Sequence, residues 1–137
     1  SPEILHPYLR RHLAGVLLRL RLPLRAQKYI SIGLEQRPTP ALYAALLLTR
    51  AQCDSARQDH WRALHSWQAL EDVLLHRSGR EMMRVRRARE LSALGLVEAA
   101  DALWRGLAES AQIPTLRQEA QNRIDRQEEA MEEENGT

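Results

Sequence analysis

Phenylalanine is absent from this chain of 137 residues, and cysteine and lysine occur once each, as Cys53 and Lys28. A single cysteine excludes an internal disulfide and every cysteine-rich zinc site. Its neighbour Asp54 disfavours a thiolate, so Cys53 reads as a small apolar or semi-exposed filler, not a nucleophile. The histidines, His6, His12, His60, His65 and His76, never fall three or four residues apart, the spacing that puts two ligands on one helix face. No metal site is expected. There is no glycine-rich phosphate loop and no Gly-x-Ser-x-Gly elbow. Glu71 and Asp72 are adjacent, point in different directions on a helix, and read as solvated surface. No residue recommends itself for catalysis, so the expectation is a protein that is not an enzyme, with no cofactor and no small-molecule substrate. The longest apolar run, LAGVLLRLRLPL, is interrupted by Arg19 and Arg21 and is too short for a membrane span.

What remains is an ordinary balance of 44% hydrophobic and 28% charged residues, enough for one domain over 1–137 with a modest core. The net charge of +2 is unevenly spread. Residues 1–100 hold 16 basic and 9 acidic side chains, a balance of +7, and residues 101–137 hold 4 and 9, a balance of −5. A basic body therefore carries an acidic end. The chain begins at Ser1, not at Met, and is expected to be a piece of a longer protein: cytoplasmic, or the soluble part of a membrane-anchored one.

Strand signals are nearly absent, and no stretch sustains a period of two. Pro7, Pro23, Pro40 and Pro114 each precede an apolar pattern that suits a helix, where proline fits the first turn. Seven helices are predicted, at about 7–20, 23–36, 41–53, 60–76, 81–94, 97–111 and from 114 onward. Breaks fall at RPTPA, at DSARQ, at RSG (Ser78 and Gly79) and at Gly95. Leu116, Ala120, Ile124 and Met131 mark one face of the last helix, which is expected to fray into an acidic, exposed tail over 128–137.

Three positions recur every 37 residues: Ala14, Ala51 and Ala88; Ala26, Ala63 and Ala100; Ile30, Trp67 and Trp104. A looser series is Gly33, Leu70 and Leu107. A small residue on each of two antiparallel helices lets their backbones approach, and a large side chain one turn later fills the space beside them. One such hairpin cannot bury its apolar face alone, and stacked hairpins can. Trp67 and Trp104 are therefore expected in the core, and Trp61, on another part of its helix, is not.

This pattern resembles the tetratricopeptide repeat (TPR) family of helix–turn–helix units. Leu13, Ala14, Leu17, Ala26, Ile30, Gly33 and Pro38 match the family's spacing in the first unit. Ala51, Ala63 and Trp67 match in the second, and Ala88, Leu91, Gly95, Ala100 and Trp104 in the third. The departures are a period of 37 where the family has 34, Arg10 where a bulky aromatic is usual, and Arg50 where Leu is expected. The resemblance implies an all-α solenoid of three antiparallel hairpins, about 7–38, 41–76 and 80–113, with a capping helix over about 114–131.

It further implies a protein–protein interaction scaffold or adaptor, with first helices lining a concave groove. TPR domains of this kind sit in multiprotein assemblies, bacterial envelope and polysaccharide-secretion machines among them. The lining expected from the resemblance is Tyr8, Arg11, Leu18 and Arg19; then Leu48, Gln52 and Ser55; then Met82, Val85, Arg89 and Ser92. Apolar Leu48, Met82 and Val85 would form its centre, and the arginines would grip an acidic or amphipathic segment of a partner protein. The subtype that clamps a C-terminal carboxylate is excluded, because Gly15 and Thr49 stand where it needs Asn. Two other readings stay open. One is nucleic-acid binding through the Arg-rich helix over 80–89, which lacks interleaved aromatics. The other is self-assembly into a homo-oligomer.

Overall fold

The computed structural model describes residues 6–136, and every regular element among them is an α-helix. The helices are α1 (Pro7–Arg19), α2 (Pro23–Glu35), α3 (Pro40–Ala56), α4 (His60–Val73), α5 (Arg77–Ala93), α6 (Val97–Ser110) and α7 (Pro114–Asn135). They gather into two compact units, one running to Val73 and one starting at Leu74.

Four of the helices begin on proline, whose missing N–H would find no partner in a first turn. Two are also capped by side chains. His6 Nδ1 accepts the Tyr8 N–H at 3.1 Å, and Thr39 Oγ1 accepts that of Leu42 at 3.3 Å. In the first unit α1 pairs with α2 and α3 with α4, while α1 and α2 both pack against α3. Its core holds Ala14, Ala26, Ile30, Leu46 and Cys53, each 0% exposed. A Cβ on Gly33 would lie 3.3 Å from Leu46 Cδ2, so α2 comes this close to α3 because residue 33 has no side chain. In the second unit α5 pairs with α6 and α6 with α7, and α7 also reaches α5.

All twelve positions of the four 37-residue series are buried. The turns recur as well. Leu22, Asp59 and Leu96 each donate a backbone N–H to the carbonyl five residues back, on Leu17, Asp54 and Leu91, at 2.8, 3.0 and 2.9 Å. The residue before each donor has positive φ: Arg21 at 60°, Gln58 at 58° and Gly95 at 77°. This is a Schellman-type helix ending, used three times at one spacing. Only the third copy carries the residue that prefers that backbone.

Three expected boundaries move. α3 runs on through Ala56, so the first three residues of the expected DSARQ break are helical. The break between α4 and α5 falls at Leu74–His76, and Ser78 and Gly79 lie inside the first turn of α5. The cause is Glu81, 2% exposed, which pairs with Arg77 one turn earlier at 3.1 Å. Its carboxylate accepts the backbone N–H of Gln112 at 2.9 Å and of Ile113 at 3.4 Å. The helix start is thereby drawn back to Arg77, and the unpaired N–H groups before α7 are satisfied from α5. At the other end, α7 does not fray at residue 128 but stays helical to Asn135. Ala120 and Ile124 are buried there, Leu116 is half-buried, and Met131 is 53% exposed. Glu71 also departs from its solvated reading: it is buried, and Asp72 beside it is exposed.

Candidate functional site

The first unit presents a continuous stretch of recessed surface along α1 and α3. At its start lies a cavity of about 680 Å³ with walls of Pro7, Tyr8, Pro38, Ala41, Leu42 and Ala45. The caps of α1 and α3 place these residues, since both helices begin here. Arg11 and Arg37 also line this cavity. Arg11 continues into a second cleft of about 320 Å³, shared with His12, Gly15, Leu18, Arg19, Thr49 and Gln52. Arg11, Gly15 and Arg19 follow one another at four-residue intervals, which aligns them along one edge of α1. Nothing lies within 4 Å of where a Cβ on Gly15 would stand, so the floor between the two arginines is open. Opposite, Thr49 Oγ1 donates to its own helix, to the Ala45 carbonyl at 3.0 Å, which turns the hydroxyl away from any guest.

The electrostatics follow from composition. Between His6 and Thr39 the only acid is Glu35, against Arg10, Arg11, Arg19, Arg21, Arg25, Lys28 and Arg37. Arg10 is withdrawn into the interior at 0% exposure, its Nε donating to Gln36 Oε1 at 2.9 Å. Arg11 and Arg19 are exposed.

Arg11, Leu18, Arg19 and Gln52, four of the lining residues expected from the repeat resemblance, thus meet at one cleft, and Tyr8 lines the adjoining cavity. Leu48 and Ser55 are half-buried on α3 and belong to neither. In the second unit the expected lining does not assemble. Val85 is 3% exposed, a core residue, because α5 is covered by both α6 and α7. Arg89 Nη2 is bound to Glu119 Oε1 on α7 at 2.5 Å, so its charge is already matched. Met82 is 41% exposed. Ser92 lines a separate cleft with Trp104 and Arg123, whose guanidinium lies 5.3 Å from the Trp104 ring centroid. On the Arg-rich helix, Arg77 is tied to Glu81 and to the Ser110 carbonyl, and Arg89 to Glu119.

Sequence reasoning missed Arg37 and the role of Gly15. It also missed a polar knot inside the first unit. Asp54, 3% exposed, accepts from Gln27 Nε2 at 2.6 Å and from Ser66 Oγ at 2.8 Å, joining α2, α3 and α4. Burial pushes its carboxyl pKa up against the opposing Ser66 hydrogen bond. Burial, helped by Asp54, also raises the Cys53 thiol to about 11, so the thiol is held neutral within the core. Among the described residues no group of three His, Cys, Asp or Glu is placed to hold a metal ion, and no helix is long and apolar enough to cross a membrane.

Comparison with protein-family models, with curated proteins and with solved structures gave no match for this chain.

Proposed function

We propose that this protein is an interaction module of TPR-like, solenoidal design, whose α1–α3 face receives an acidic, amphipathic segment of a partner protein. The observation that carries the reading is the convergence of Arg11, Leu18, Arg19 and Gln52 on one cleft that adjoins a larger apolar cavity through Arg11. Apolar side chains of the guest fill the cavity, and its carboxylates meet arginines presented as planar, two-pronged donors. Charge then governs the encounter rate and the salt dependence, and apolar burial governs the lifetime.

The test is a fluorescence-anisotropy titration of the full chain with a synthetic helical peptide of alternating Glu and Leu faces, beside a control with Lys in place of Glu. The Glu peptide binds, more weakly as salt rises, and Arg11→Glu weakens it about tenfold, equivalent to about 1.4 kcal/mol, without loss of helicity. Equal binding of both peptides, or an unaffected Arg11→Glu variant, refutes the reading.

A further inference from the structure

We infer that the basic cleft along α1 accepts the acidic end of α7 from a second copy of this chain, so that molecules associate face to tail. The inference rests on the α1–α3 face being a docking surface and names its occupant.

The occupant is argued from charge. From Glu128 to Glu134 the chain carries five glutamates, Glu128, Glu129, Glu132, Glu133 and Glu134, and no basic residue. This stretch is helical and exposed throughout. Glu129, Glu132 and Glu133 fall at i, i+3 and i+4 and so share one helix face. None of these three is in an ion pair among the described residues, whereas Glu128 is bound to Arg105 at 3.2 Å. An isolated row of like charges on one helix face repels itself, and an opposite row relieves the repulsion.

The α1 cleft supplies that row. Arg11 and Arg19 are exposed, are not ion-paired among the described residues, and flank the open floor at Gly15. Eight helical residues separate them by about 12 Å, and Glu129 and Glu133 are about 6 Å apart. The reach of the arginine side chains covers the difference. A missing side chain at residue 15 lets the visiting helix approach the backbone of α1 closely, as small residues do wherever helices pack tightly. Because donor and acceptor surfaces differ, the contact is heterologous: it builds chains, or a ring if the rotation closes.

The test is sedimentation equilibrium of the full chain over a concentration series at low and high salt. Three variants accompany it: Gly15→Leu, Arg11→Glu/Arg19→Glu and Glu129→Lys/Glu132→Lys/Glu133→Lys. Circular dichroism checks that each is folded. Gly15→Leu keeps every charge, and its new side chain enters open space on its own molecule. The expected result is a wild-type mass that rises with concentration at low salt and falls to the monomer at high salt. Each variant alone stays monomeric, and an equimolar mixture of the two charge-reversed variants regains the higher mass. A wild type that is monomeric throughout overturns the inference, as does a Gly15→Leu variant that associates normally or a mixture that fails to recover. If the inference fails while the Glu-faced peptide still binds at Arg11, the docking face stands and only its occupant is wrong.

Discussion

Exchanging the residues at the three recurring turns isolates one backbone effect. Arg21, Gln58 and Gly95 occupy equivalent places with φ of 60°, 58° and 77°. For a residue with a Cβ this left-handed conformation costs roughly 1–2 kcal/mol. Glycine escapes the cost but loses more freedom on folding, an opposing effect of about 0.4–1 kcal/mol. The difference predicts that Gln58→Gly stabilises the first unit by about 0.5–1 kcal/mol and that Gly95→Ala destabilises the second by a similar amount. Neither change confounds the reading with packing. Gln58 is exposed, and a Cβ at residue 95 meets nothing within 4 Å. Urea titrations followed by circular dichroism compare midpoints, which a change in stability shifts without altering the slope. A Gln58→Gly midpoint at or below that of the wild type, or a Gly95→Ala midpoint above it, would refute the assignment of a shared strained turn.

Trp67→Ala and Trp104→Ala each cost about 3–5 kcal/mol, since both rings are nearly fully buried, while Trp61→Ala, 55% exposed in the wild type, changes stability far less; three equal losses in urea titration would overturn the core assignment. Glu81→Ala leaves the Gln112 and Ile113 N–H groups without their acceptor and lowers stability by about 1–3 kcal/mol, with hydrogen exchange speeding up at those two amides first; unchanged exchange there would count against the carboxylate's role. Asp54 has a folded pKa raised above its unfolded value near 4. Its contribution to stability is therefore fully present below that unfolded value and lost as pH rises through the folded one. Asp54→Asn removes this titration, so the stability of the first unit in urea at successive pH values above about 4 should show a shallower decline than the wild type; parallel profiles would show that Asp54 does not titrate abnormally.

The helices were legible because proline marks where four of them begin and because apolar residues recur at helical spacing. The buried series were legible for a related reason: close approach of two helices tolerates only a small side chain, and Ala14, Ala51 and Ala88 leave that constraint visible at a fixed interval. What stayed hidden depends on partners far along the chain. Glu81 reads as one more charge in a charged helix until the Gln112 amide, thirty-one residues away, is brought to it. Asp54 is equally unremarkable until Gln27 and Ser66 converge on it. The turns at Arg21 and Gln58 carry no glycine to announce them. At the candidate site, α1 was readable because it keeps an exposed edge. Val85 was misplaced because α5 is covered on two sides, which the pattern of one helix cannot disclose.

The hold of α5 on the start of α7 has a mechanical consequence. Glu81 grips the amides of Gln112 and Ile113, and Arg77 grips the carbonyl of Ser110. The connection between α6 and α7 is thus clasped at both its donors and its acceptors by a single turn of a third helix. A pull on the far end of α7 would first peel the exposed turns beyond Gln127, which anchor nothing buried. It would next meet Ile124 and Ala120 and, last, the clasp. Tension on that helix is therefore transmitted in steps, with a long soft lead and a firm stop at its root, so a partner tugging at the acidic end would draw out slack before it loaded the core.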